Sequence, residues 1–308
     1  MKNYAIIKEA INNLKEKILI NKQKTQSELH AKLAKTDFYK IYAEFKKQEL
    51  DCAKAQFFKT EFDKKQLNAC KKQLDNILNS QNLLWDNLNL KPLCSYCNDL
   101  FFIDSKPCKC LKEEMSKILI ADSGLKHLHN FEQCNFELYD QNLKSDIKNF
   151  YSKMQKWSNG EQQKYKNIIV SGPTGTGKTF LIECMANSLI SCGNIVHFST
   201  AFNMNQNLLK FHTTFDENKS KYIDPYLECD YLFIDDLGTE PIFKNVTVEY
   251  LTQIISERTL NNKYVIITTN LKIDEIFSRY GERFASRLFN KNISLAVELK
   301  NSDLRYKK

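Results

Sequence analysis

Apolar residues at the start of the chain alternate at spacings of three and four. Tyr4, Ile7, Ile11, Leu14 and Ile18 therefore fall along one stripe of a helix. Leu29, Leu33, Ile41, Phe45, Leu50, Phe57, Leu67, Leu74 and Ile77 continue the pattern in a background rich in Lys, Glu and Gln, with neither Gly nor Pro before Pro92. This texture predicts a bundle or hairpin of long helices over residues 1–90. Such a stripe can pack inside its own bundle or serve as a docking face, and the pattern leaves both open.

From about residue 125 the pattern changes to short apolar runs separated by helical periods, the signature of a parallel α/β sheet. The predicted strands are NIIV (167–170), NIVHFS (194–199), DYLFID (230–235), YVIITT (264–269) and ISLAVEL (293–299). Between the helical and α/β regions, residues 91–110 read KPLCSYCNDLFFIDSKPCKC. Cys94, Cys97, Cys108 and Cys110 supply the tetrahedral shell of a structural zinc, and the ten residues between the pairs are enough for a hairpin. The alternatives are four unligated thiols or a redox pair, but a segment this short has little core without a metal.

Composition narrows the picture. With 308 residues, 42% of them hydrophobic, and only 8 Gly and 5 Pro, the chain is ordered and helix-rich. No stretch approaches the roughly 18 apolar residues of a membrane span, and ten cysteines without a secretory signal fit a cytoplasmic protein with reduced thiols. The formal charge is +8, and residues 1–90, with 17 Lys and 11 acidic residues, hold +6 of it. That excess is compatible with nucleic acid or an acidic protein, and equally with a solvated helical surface.

SGPTGTGKTF carries the chemistry. Gly172-x4-Gly177-Lys178-Thr179 lies between a predicted strand and a predicted helix. The loop from Gly172 through Pro173, Thr174, Gly175, Thr176 and Gly177 to Phe180 can wrap the phosphate oxygens of a nucleotide; Lys178 reaches the β and γ phosphates, and Thr179 can ligate magnesium. YLFIDDLG ends a second apolar run in two acids: Asp235 suits the magnesium shell and Asp236 the attacking water. Alone they would read as a turn. Asn270, after YVIITT, is placed to sense the γ phosphate or hold the water, unless it merely ends the strand.

The five arginines stand at 258, 279, 283, 287 and 305, against 40 lysines. Arg279, Arg283 and Arg287 are spaced by four, which on a continuous helix puts them along one face. The order of phosphate loop, acidic strand, polar strand tip and arginines resembles the AAA+ ATPases. In that family this region presents an arginine finger to a neighbour's ATP, a task suited to a planar, permanently charged fork. The resemblance implies self-association through Arg287, with Arg283 second; the alternative is local pairing, for instance with Glu282. It also implies that Arg305 contacts phosphate from its own subunit.

SGPTGTGKTFL, YLFIDDLG, VIITTN and YGERFASRLF, behind a helical segment and the CSYC and CKC cysteines, are similar to the bacterial replicative helicase loaders of the DnaC and DnaI type. The resemblance spans about residues 91–305; residues 1–90 share only texture. It implies an α/β AAA+ core over 166–308 without a C-terminal helical lid, a linker that covers adenine through Phe136 (113–165), a four-cysteine zinc module (91–112) and a helicase-binding helical domain (1–90). It implies a slow ATPase that delivers the hexameric replicative helicase onto single-stranded DNA. Between the second and third predicted strands, Lys210, Phe211, Phe215 and Lys221 are the residues placed to follow phosphates and stack bases, although the aromatics could equally be core. Rival expectations are an IstB-type transposition helper acting on duplex DNA, and an adaptor that binds ATP without hydrolysing it.

Overall fold

The computed structural model describes residues 2–89, 91–161, 163–300 and 303–306. The side chain of Tyr4 and the domain limits at 1, 90 and 308 lie outside the described residues. The chain separates into two compact units, one formed by Met1–Ile6 with Lys112–Lys308, the other by Ile7–Leu111.

The Ile7–Leu111 unit holds most of helix α1 (Lys2–Leu33), then α2 (Phe38–Phe58) and α3 (Lys65–Ser80). Helices α2 and α3 pack together around Phe38, Phe45, Cys70, Leu74 and Leu78, joined by Leu33 and Leu83. Trp85 seals this core, packing on Phe45 and donating its indole N–H to Asp75. The helical expectation is met, but the stripe is not continuous: Leu50 and Phe57 are exposed. Along α1 the buried line runs through Ile6, Ala10 and Leu14, beside Ile7, Ile11 and Ile18, which are half-buried. The same unit carries a two-stranded hairpin, β1 (Phe102–Ile103) and β2 (Lys106–Pro107), whose turn residues Asp104 and Ser105 have positive φ.

The other unit is a three-layer α/β structure. Its five parallel strands are β3 (Asn167–Ser171), β4 (Val196–Thr200), β5 (Tyr231–Leu237), β6 (Tyr264–Thr269) and β7 (Ser294–Glu298), in the order β4-β5-β6-β3-β7. Alternation along each strand divides the core in two. Ile168, Val170, Phe198, Phe233 and Ile266 face α4 (Lys109–Ser123), α5 (Gln141–Ser158) and α6 (Lys178–Ser191). Ile169, Leu232, Ile234, Val265 and Ile267 face α7 (Ala201–Thr213), α8 (Asp224–Glu228), α9 (Thr247–Leu260) and α10 (Ile273–Leu288). Strand β3, paired with β6 on one side and β7 on the other, leads into the phosphate loop, so the loop emerges at the carboxyl edge between two neighbours.

One expectation is overturned. Gly281, at φ 79° and ψ 163°, breaks α10 in the middle, so Arg279 lies before the break and Arg283 and Arg287 after it. The three arginines do not share the face of one continuous helix. Glycine reaches that conformation at no steric cost, which is why the kink falls there.

Candidate nucleotide site

Strand β3 ends at Ser171, the chain turns through the phosphate loop, and α6 begins at Lys178. Thr174, Gly175, Gly177, Lys178, Thr179 and Phe180 line a cavity of about 480 Å³ together with Asp236, Asn270 and Arg305. Gly172 and Pro173 contribute carbonyls, which accept from Lys178 Nζ at 2.9 and 2.8 Å. Thr176 is buried in the loop and donates to the Pro173 carbonyl at 3.0 Å. Lys178 also donates to Asn270 Oδ1 at 2.8 Å. Burial pulls the lysine's pKa below its ordinary value, opposed by the charges of Asp236 and Asp235.

The two acids reach the site by different routes. Successive side chains of a regular strand point to opposite faces. The β5–β6 ladder shifts register between Ile234 and Leu237, and Asp236 adopts φ 57° there. This bulge turns Asp236 into the cavity while Asp235 stays beside α6. Thr268 of β6 holds both: its hydroxyl donates to Asp235 Oδ1 at 2.5 Å and accepts the Asp236 backbone N–H at 2.9 Å. Asp235 also accepts from Thr179 Oγ1 at 3.1 Å on each carboxylate oxygen. Burial raises the Asp235 pKa, and the charges of Asp236 and Glu183 push the same way, against the hydrogen bonds from Thr268 and Thr179.

These groups fit a magnesium nucleotide. A hydroxyl and a carboxylate converge at the start of α6, as a hard oxygen-seeking cation requires, and the helix N-terminus adds amide donors. Gln133, Cys134, Asn135, Leu138 and Tyr139 form a further wall of the same cavity. Phe136 packs instead on Tyr139 and Tyr151, bracing that wall from behind.

Sequence reasoning missed Thr268, Tyr139, Leu304 and Glu240. Thr268 was legible in one respect, since two threonines closing an apolar strand are polar groups in need of partners. Glu240 is buried and accepts from the Tyr280 hydroxyl and the Gly238 N–H (2.9 Å), and its carbonyl accepts from Arg279. Arg279 is thereby committed to structure. So is Arg258, which is 1% exposed and donates to the carbonyls of Tyr226, Cys229, Asp230 and Tyr264 at 2.7–3.1 Å. Arg283 is exposed, and Arg287 donates to the Arg283 carbonyl of its own helix at 3.1 Å. No ion pair among the described residues takes up either, Glu282 included.

Of the residues expected at DNA, Lys210 lines a second cavity, of about 680 Å³, that also reaches Thr179 and Asp235. Phe211 is half-buried against Tyr250, Phe215 is 94% exposed, and Lys221 lies over the Tyr222 ring.

In the Ile7–Leu111 unit the sulfurs of Cys94, Cys97, Cys108 and Cys110 lie within 4.8 Å of one another. The Cys94–Cys108 and Cys97–Cys110 separations are 3.8 and 3.6 Å. Zinc–sulfur bonds of about 2.3 Å in a tetrahedron require sulfurs about 3.8 Å apart, so the four thiols fit zinc. Backbone N–H groups of Cys97 and Tyr96 bring the Cys94 thiol down to about 7, while burial raises Cys97 and Cys110.

Fold and site together define an ATP-binding protein of the AAA+ type. Residues 110–307 match the model of the IstB-like ATP-binding proteins, and the chain belongs to that family. Over 125 residues it is 30% identical to the chromosomal replication initiator protein DnaA of Campylobacter jejuni, covering 40% of this chain and 27% of the relative. The chain thus spans about a quarter of the length of the curated relatives it matches. Similar solved structures include a DnaC helicase loader (22% identity, 54% of this chain and 96% of that one, TM-score 0.43). Others are DnaI (17%, 56% and 91%, 0.41) and AMPPCP-bound DnaA from Aquifex aeolicus (19%, 60% and 53%, 0.45).

Proposed function

We propose that this protein is an ATPase acting in initiation of DNA replication, where it binds the hexameric replicative helicase and delivers it onto single-stranded DNA in the cytoplasm. The observation that carries the ATPase half is the meeting of Lys178, Asn270, Thr179 and Asp235 at one loop, with Asp236 turned into the same cavity by the bulge. Magnesium, when bound, supplies charge that draws the phosphate oxygens together. Lys178 neutralises the phosphates, Asn270 fixes Lys178 and orients water, and Asp236 polarises that water. Aspartate is one methylene shorter than glutamate at this position, which favours slow turnover that a partner accelerates.

The replication half rests on the loader-like motifs, above all YGERFASRLF, on family membership, and on the stretch shared with DnaA. In this reading residues 1–90 grip the helicase and residues 91–112 form a zinc-stapled module. Residues 113–165 back the base side of the cavity, and 166–308 are the motor. Arg287 or Arg283 reaches a neighbour's ATP, since neither is held in an ion pair among the described residues. Single-stranded DNA follows Lys210, Lys221 and the exposed Phe215. Arg305 binds phosphate within its own subunit.

The family match favours a second reading, an IstB-type transposition helper on duplex DNA. ATP hydrolysis by the full chain, with and without single-stranded or duplex DNA, tests both readings. The loader reading expects stimulation by single strands and loss of activity in Lys178→Ala. Unchanged hydrolysis in that variant would sink the site, and stimulation by duplex alone would favour the transposition helper.

A further inference from the structure

Residues after the last strand cross over the phosphate loop. Leu304 N–H donates to the Gly175 carbonyl at 2.9 Å. The Asp303 carboxylate presses against Gly175 so closely that a Cβ there would stand 1.9 Å from Asp303 Oδ1. Glycine at 175 thus makes room for an acid beside a loop built to hold anions.

Asp303 does not face the loop alone. Arg305 donates to it from Nε at 3.0 Å, from a terminal nitrogen at 2.6 Å and from its backbone N–H at 3.0 Å. The guanidinium fork is filled by one carboxylate, and the hydrogen bond from Arg305 holds the Asp303 carboxyl below its usual range. Arg305 lines the same cavity as Lys178 and Asp236. Its side chain is 63% exposed and that of Asp303 23%, so solvent weakens the pair and a competing anion can open it.

A fork already occupied by a carboxylate is not available to every phosphate ligand. A nucleoside diphosphate has one phosphoryl group fewer and less charge with which to compete. A triphosphate brings a terminal group whose charge and geometry match the fork better than a single carboxylate does. We propose that Asp303 is a specificity-determining residue of the nucleotide site: by occupying Arg305 it reserves that arginine for a nucleoside triphosphate and weakens the response to diphosphate. The proposal rests on the nucleotide-site reading given above.

Fluorescent analogues of ADP and of non-hydrolysable ATP, titrated by anisotropy into the full chain with magnesium, test it. Asp303→Asn should tighten diphosphate binding more than triphosphate binding, lowering the affinity ratio about threefold to fivefold. In an Arg305→Gln background the same substitution should leave the ratio unchanged, a dependence that a merely structural role for Asp303 would not produce. A ratio unchanged or raised by Asp303→Asn, or lowered equally in both backgrounds, would overturn the proposal. If the wild-type chain bound neither analogue, the nucleotide site itself would fall, and this role with it.

Discussion

Lys178 and Asn270, 92 positions apart in sequence, meet at 2.8 Å, where the lysine donates to the asparagine side chain. The contact ties the phosphate loop to the tip of β6, so strand position and phosphate position are set together. Removing the amide leaves Lys178 its two carbonyl partners but frees its direction. Asn270→Ala is therefore expected to lower kcat by about tenfold to a hundredfold while nucleotide affinity stays within about threefold. Steady-state kinetics with a parallel binding titration checks the split; weakened affinity with kcat unchanged would make Asn270 a binding residue only.

Asp235 opposes the stability of its own fold. Its folded pKa is raised above 3.8, chiefly by burial, so the ionised form is disfavoured in the folded state. The cost is absent below the unfolded value and grows as pH rises from there to the folded value. Without magnesium, Asp235→Asn should be more stable than wild type at neutral pH, with the advantage gone below about pH 4. Thermal unfolding across pH measures this, and magnesium with ATP should reverse the order.

Zinc in the four-cysteine cluster should appear as about one equivalent per chain in metal analysis. Cys97→Ser leaves three thiols and should lose most of the metal, together with protease resistance around residues 91–110. A metal-free chain with an intact hairpin would contradict the assignment.

Arg258 is fully buried and bonded to four carbonyls, with no carboxylate among its hydrogen-bond partners in the described residues. Arg258→Met removes these hydrogen bonds, leaving the Asp230 carbonyl only the Tyr264 N–H at 3.0 Å, and should destabilise the α/β unit by about 3 kcal/mol. Chemical denaturation reads the loss, and nucleotide affinity at low denaturant should be unchanged, because Arg258 does not line the nucleotide cavity.

The strands were legible because each is an apolar run closed by polar residues, and all five fall within two or three positions of where the pattern puts them. The phosphate loop was legible because its spacing encodes a backbone conformation. Three features were not. The bulge at Asp236 depends on the register against β6, which no single-strand pattern contains. The break at Gly281 was signalled by a lone glycine inside a strongly amphipathic helix, a signal outweighed by the regular arginine spacing. The split among the arginines also depended on tertiary contacts: Arg258 and Arg279 find carbonyls brought close only by folding, and Arg305 finds Asp303 by a local turn.

The most direct test of the account is co-purification of the full chain with the hexameric replicative helicase of the same cell, with and without ATP and single-stranded DNA. The account predicts a stable complex whose lifetime or stoichiometry responds to nucleotide and is altered by Lys178→Ala. No complex under any of these conditions, alongside retention of a transposase on duplex DNA, would contradict it.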